Sequence, residues 1–132
     1  MKFALEHQNP LAAGFVRGRG KRAYPETSFS LITLSDPSVV LWALKPADEG
    51  IDKGIIARVW NLSSSPRNFS LSLQTGISSA QRATHIETDI GAGTVAGGAL
   101  SASAAASQML TFRLFPSATS KRPAASKMGL KR

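Results

Sequence analysis

The sequence predicts an all-β fold, an antiparallel β-sandwich followed by a disordered basic C-terminal tail. Short apolar runs alternate with polar residues, and clusters of Ser, Pro, Asp and Gly interrupt them at near-regular intervals. No stretch shows a convincing helical stripe of apolar residues. With 132 residues, the chain is long enough for one domain that buries about two-thirds of its unfolded surface.

Nine short strands are predicted from this pattern. Turn clusters at residues 35–38 and 63–66 separate several of them, and the apolar residues of 69–73 alternate with serines, as in a half-buried strand. The predicted strands are residues 2–6, 12–16, 28–34, 39–44, 54–61, 68–73, 83–89, 100–104 and 109–115.

The clearest element is a hairpin over residues 39–61. Its first strand is apolar on both faces, so we expect an interior strand that is covered on both sides and ends at Pro46, which has no N–H for the ladder. Asp48, Glu49 and Gly50 form an acidic, solvated turn. The second strand alternates, and its polar stripe places Arg58 beside Trp60.

This hairpin carries a resemblance to a known family. It consists of an apolar strand that ends in Ala-Leu-Lys-Pro-Ala, an Asp-Glu-Gly turn and then Gly-Ile-Ile-Ala-Arg-Val-Trp-Asn. This pattern resembles the C-terminal β-sandwich region of glycoside hydrolase family 38, the α-mannosidases. Three further matches lie outside the hairpin, and their order along the chain agrees with the family. They are Asn9-Pro10-Leu11, Glu87-Thr88-Asp89 and Leu110-Thr111-Phe112-Arg113-Leu114. The resemblance covers residues 1–115, which leaves 116–132 as the tail. It also favours a strand over a helix in the Ala/Ser-rich run at 99–107.

The resemblance implies a domain that does no chemistry by itself. In the α-mannosidases the aspartate nucleophile and the zinc ion belong to the N-terminal catalytic domain, so no catalytic residue and no metal ligand is expected here. The implied partner is a catalytic domain, as a separate chain or as a missing upstream part, and a mannose-containing glycan is a possible ligand.

The net charge of +8 invites a nucleic-acid interpretation. Residues 17–22 carry four positive charges and residues 121–132 carry five, so the rest of the chain is close to neutral. Such runs are usually solvated segments, which makes nucleic acid the least favoured partner. Charges, His7 and Pro10 within residues 1–16 argue against a signal peptide or a membrane span, and a cytoplasmic location is the default.

Three local groups of residues are further candidate sites. Glu87 and Asp89 would share one face of a strand, roughly 7 Å apart, which is near the separation used by glycosidases, but a polar outward face with Ile86 turned inward is the favoured interpretation. The two histidines, His7 and His85, lack the spacing of a zinc site. The glycine-rich run at 91–98 fits no phosphate-binding motif and is predicted to be a flexible connection.

Arg58, Trp60 and Asn61 form the candidate carbohydrate contact. Sugar C–H faces stack on indole rings, while guanidinium and amide groups bond hydroxyls. The competing interpretation has Trp60 packing the sandwich under the stem of Arg58, with Asn61 opening the next turn.

Three functional hypotheses follow from these observations. The favoured one is a supporting C-terminal domain of an α-mannosidase. An independent carbohydrate-binding module is the second, and a weak binder of nucleic acid or another anionic surface, through the basic loop and tail, is the third.

Overall fold

The structure, a computed structural model, describes residues 30–117. These residues form nine antiparallel strands and no helix, which confirms the predicted all-β class. No helix in the described region is therefore long and apolar enough to span a membrane. The strands are β1 (Ile32–Leu34), β2 (Val39–Ala47), β3 (Gly50–Asn61), β4 (Arg67–Leu73), β5 (Ile77–Ala83), β6 (Asp89–Ala92), β7 (Thr94–Ala96), β8 (Ala99–Ala104) and β9 (Met109–Pro116).

Two sheets face each other across one apolar core. The four-stranded sheet has the order β1-β4-β8-β7, and the five-stranded sheet has the order β2-β3-β9-β5-β6. Alternation places one apolar row of each central strand between the sheets, where water is excluded. The buried core consists of Val39, Ala57, Val59, Phe69, Leu71, Leu73, Ile77, Ala80, Leu100, Ala104, Leu110, Phe112 and Leu114.

The predicted hairpin is present, but its first strand is not interior. β2 lies at the edge of the five-stranded sheet and continues through Pro46 to Ala47. An edge strand tolerates proline because one side of its ladder is unpaired, so Pro46 does not end the strand. The register shifts between Leu41 and Ala43, which makes Trp42 the extra residue of a bulge and leaves its side chain exposed.

The strand predicted over residues 83–89 is wrong. β5 occupies residues 77–83, residues 84–88 form a turn, and β6 begins at Asp89. β5 escaped detection because its register shifts between Ile77 and Ser79, so its buried residues Ile77, Ala80 and Ala83 are spaced by three. A bulge of this kind removes the period-two signal.

The glycine-rich run is not a plain connection, because it contains parts of β6 and β7. β6 belongs to the five-stranded sheet and β7 to the four-stranded sheet, so the chain crosses between the sheets at Gly93. The Gly93 N–H donates to the Ala80 carbonyl at 2.8 Å. A Cβ at this position would lie 3.0 Å from the Cβ of Ala80 and 3.1 Å from Cδ1 of Leu100. A close approach between backbone and core therefore favours glycine at this position, since a methyl group would push Ala80 or Leu100 away by a few tenths of an ångström.

The remaining predictions divide into tested and untested ones. The Ala/Ser-rich run forms β8, as expected, while the strands predicted at 2–6 and 12–16 and the basic loop at 17–22 lie outside the described residues. β9 includes Pro116, and the Ser117 N–H donates to the Gly76 carbonyl at 3.0 Å. The sandwich thus extends two residues into the segment predicted as tail, of which residues 118–132 also lie outside the description.

Replacing Gly93 by alanine is expected to destabilise the sandwich by about 1–3 kcal/mol, since the added methyl overpacks the contact with Ala80 and Leu100. Urea unfolding followed by circular dichroism measures the change. Gly91 provides the matched control, because a Cβ there meets nothing within 4 Å. Gly91→Ala should stay within about 0.5 kcal/mol of the parent. Equal stabilities for the two variants would contradict the tight crossing.

Candidate functional site

The outer face of the five-stranded sheet carries a cluster of aromatic and basic side chains: Trp42, Arg58, Trp60 and His85. Together with the exposed Ile86, which follows His85, they are here called the tryptophan patch. The indole rings of Trp42 and Trp60 meet edge to face, with centroids 5.4 Å apart and planes at 85°. Nε1 of Trp60 donates to the Ser107 carbonyl at 3.1 Å. Trp60 is half-buried, whereas Trp42 is 47% exposed, so Trp42 presents the larger ring surface to solvent.

Arg58 links β3 to β9 and to the turn at 84–88. Its Nη2 donates to the His85 carbonyl at 2.8 Å, and its Nε donates to Oγ1 of Thr111 at 3.2 Å. The same hydroxyl lies 3.3 Å from Nδ1 of His85. Among the described residues, no carboxylate lies within ion-pair distance of Arg58. The guanidinium is therefore held by neutral oxygen atoms.

Asn61 lies in the interior, away from the patch. Asn61 is completely buried. Its Nδ2 donates to the carbonyls of Ser65 at 2.9 Å, Ala105 at 2.8 Å and Ala104 at 3.3 Å. Its Oδ1 accepts from the Ser63 N–H at 2.9 Å. The side chain thus satisfies the backbone of two loops and offers no polar atom at the surface, in line with the turn-forming role weighed for it.

The structure separates Glu87 from Asp89 and reverses the expected orientation of Ile86. Glu87 sits in the turn with a φ of 67° and is buried, while Ile86 is 85% exposed, so the predicted outward Glu87 and inward Ile86 are wrong, whereas Asp89 is exposed as expected. The Glu87 carboxylate pairs with Lys45 and accepts from the Asp48 N–H at 3.1 Å. Asp48 and Glu87 together raise the pKa of the Lys45 amine, Asp48 more strongly.

Arg113 is the residue that sequence reasoning missed. It is 6% exposed on β9, the central strand of the sheet. Its Nε donates to Asp89 at 3.0 Å and its Nη1 to Glu49 at 3.2 Å; Nη1 and Nη2 also donate to the Lys53 and Glu87 carbonyls at 3.1 and 2.7 Å. Hydrogen bonding to Glu49 and then Asp89 raises the pKa of Arg113, and Arg113 in turn lowers the pKa of Glu49. The motif Thr-Phe-Arg-Leu signalled a strand but not these contacts.

Comparison with known proteins identifies the domain. The family model described as "Glycosyl hydrolases family 38 C-terminal beta sandwich domain" matches residues 38–114. The chain belongs to this family. No curated protein and no solved structure matches it. The matched segment runs from the residue before β2 almost to the end of β9, and a domain of this kind is part of a larger glycosidase.

The described part of the family 38 sandwich brings together no metal-ligating cluster. Within residues 30–117, no group of three or more His, Asp or Glu side chains is arranged to hold a metal ion. His85 is exposed beside Thr111, and His7 lies outside the described residues.

The described family 38 sandwich is electrically neutral. Residues 30–117 contain six Lys or Arg and six Asp or Glu side chains, so the net charge of +8 resides entirely in residues 1–29 and 118–132. The basic segments invoked for nucleic-acid binding are thus outside the strands described here.

Replacing Asn61 by alanine is expected to lower the free energy of unfolding by about 2–3 kcal/mol, because the buried carbonyl of Ala104 and the part-buried carbonyl of Ala105 lose their donor. Chemical denaturation provides the measurement. Asn68→Ala is the control, since Asn68 is exposed on β4 and its loss should cost less than about 0.5 kcal/mol. A stable Asn61→Ala protein would argue against this structural role.

Replacing Arg113 by methionine is expected to cost about 2–3 kcal/mol, since the Glu87 and Lys53 carbonyls and two half-exposed carboxylates lose their donor. Thermal and urea unfolding report the loss. Arg82→Met is the matched control: Arg82 is exposed on β5 and forms no ion pair with any described residue. The assignment fails if both variants unfold at the same urea concentration.

Proposed function

We propose that this chain is the non-catalytic C-terminal β-sandwich of a family 38 α-mannosidase, which supports a catalytic domain in the hydrolysis of terminal α-mannose. The observation that carries the proposal is the family match over residues 38–114, which spans β2 to β9 and therefore most of both sheets. The catalytic domain is either a separate chain or another part of the same polypeptide.

The chemistry of the described residues supports a supporting role. A glycosidase of the two-carboxylate type needs one acid and one nucleophile or base that face the same bond. Glu87 is buried against Lys45, and Asp89 is bonded to Arg113, so neither is available as such a group. Zinc, which the family uses in its catalytic domain, finds no ligand cluster in residues 30–117. The reacting groups would come from the catalytic domain.

Carbohydrate contact at Arg58, Trp60 and Asn61 stays a prediction. The exposed ring of Trp42 beside Trp60 favours it, since indole faces stack on sugars. However, Asn61 is buried, Nε1 of Trp60 donates to the Ser107 carbonyl, and Nε and Nη2 of Arg58 donate to Thr111 and His85, so only part of the guanidinium is left for a ligand. The exposed Trp42 ring and the few unused donors favour packing against a protein over hydrogen bonding to a glycan.

Nucleic-acid binding and the cytoplasmic location also stay predictions. The described sandwich carries no net charge, so an electrostatic partner would depend on residues 1–29 and 118–132. Retention on DNA that weakens steeply with salt and disappears when residues 118–132 are removed would favour that alternative.

The purified chain is expected to show no turnover of an aryl α-mannoside. Added to a family 38 α-mannosidase whose own C-terminal sandwich has been deleted, it should raise that enzyme's activity and thermal stability. An α-mannosidase activity of the isolated chain that depends on zinc would refute the proposal. Failure of the mixture to gain either activity or stability would also count against it, provided that the intact enzyme is active in the same assay.

A further inference from the structure

The tryptophan patch is a continuous surface. The Trp42 and Trp60 rings touch, Trp60 and Arg58 lie two residues apart on the same face of β3, and Arg58 reaches the carbonyl of His85. Ile86 follows at the tip of the turn and is the most exposed large apolar side chain in residues 30–117. Leu31, Ile51 and Ile90 are exposed outside the patch. Apolar side chains that are grouped together mark an interaction site more often than scattered single residues do.

The opposite side of the sandwich has a different character. The outer face of the four-stranded sheet carries small hydroxyl side chains, with Thr33 on β1, Ser70 on β4, and Ser101 and Ser103 on β8 exposed or half-exposed. Such a face is suited to water. A domain that packs within a larger glycosidase would therefore dock through the five-stranded sheet.

The turn that carries Ile86 is held rigidly. The Thr84 N–H donates to the Thr88 carbonyl at 2.8 Å, and the Thr88 N–H donates to Oγ1 of Thr84 at 3.1 Å. Arg58 and Arg113 bind the carbonyls of His85 and Glu87 from two different strands. The left-handed φ of Glu87 is kept by these bonds. A backbone that is already held in place loses little conformational entropy on binding, which favours this turn as a point of contact.

The charge of the patch indicates what the partner surface contains. Arg58 is half-buried and has no carboxylate partner among the described residues, and His85 lies beside it. The acidic side chains nearest to the patch are already committed, since Glu87 pairs with Lys45, and Asp89 with Arg113. A carboxylate on the partner would complement Arg58, because an arginine at an interface gains most from a directed acidic acceptor.

We propose that the tryptophan patch is the surface through which this sandwich docks onto the catalytic domain of a family 38 glycosidase. Ile86 enters an apolar pocket, Trp42 and Trp60 cover the surrounding apolar surface, and Arg58 meets a carboxylate. This inference rests on the proposed function and adds the residues that form the contact.

The test measures binding between the full chain and the catalytic part of a family 38 α-mannosidase expressed without its own sandwich. Sedimentation velocity gives the affinity. Ile86→Asp is expected to weaken binding at least about tenfold, and Arg58→Met should also weaken it. Tryptophan fluorescence reports on the patch when an oligosaccharide is added, because Trp42 and Trp60 are the only two tryptophans of the chain and a glycan has none.

Ile90 supplies the matched control. It is 58% exposed on β6, the edge strand at the opposite end of the five-stranded sheet from β2, and it is not part of the tryptophan patch. Ile90→Asp should bind like the parent, and melting curves should show both isoleucine variants folded.

The outcomes separate the two proposals. Binding that survives Ile86→Asp and Arg58→Met unchanged would overturn the docking surface and leave the supporting function in place. A parent chain that does not bind the catalytic part at all would overturn both. An emission shift on adding a mannose-containing oligosaccharide, with binding to the catalytic part insensitive to these variants, would reassign the patch to carbohydrate contact.

Discussion

The side chain of Arg113 organises the outer face of the five-stranded sheet. Because β9 lies between β3 and β5, a long cation at its centre can reach segments that come from both sides. Its guanidinium binds Glu49 in the hairpin turn, the Lys53 carbonyl on β3, the Glu87 carbonyl in the turn at 84–88 and Asp89 at the start of β6. Loops that would otherwise be free to move are thereby fixed on the sheet.

These contacts place the Arg113 guanidinium where little water reaches it. This position lowers stability through desolvation and raises it through the bonds formed. Removing a guanidinium from water is unfavourable, and its ion pairs with half-exposed carboxylates return only part of that loss. The two carbonyl acceptors complete the set of bonds. The network also ties the two turns to each other, since the Glu87 carboxylate pairs with Lys45 and the Glu87 carbonyl accepts from Arg113. The exposed position of Ile86 follows from that arrangement.

The sequence predicted the parts of the fold that local periodicity determines. The alternation in residues 68–73 and 109–115 corresponds closely to β4 and β9, and the hairpin at 39–61 and the family resemblance were both confirmed. Period-two reasoning failed at β5, where a bulge changes the spacing of buried residues. It also failed at Glu87, whose inward orientation depends on Lys45 and Arg113, which are far away in sequence. The sequence predicted part of the candidate site, since Arg58 and Trp60 lie on the patch. It gave no signal that Trp42, His85 and Ile86 would join them.

The edge position of β2 bears on how the domain can meet a partner. A free edge strand can pair with another chain through its backbone, which is a common route to aggregation. In β2, the bulge at Trp42 disturbs the ladder, Pro46 removes a donor, and Lys45 adds a charge that is tied to Glu87. These features oppose pairing through the edge while leaving the indole of Trp42 exposed on the face. A partner at this side of the sandwich would therefore meet side chains, which can be selective, rather than backbone groups that any extended chain could match.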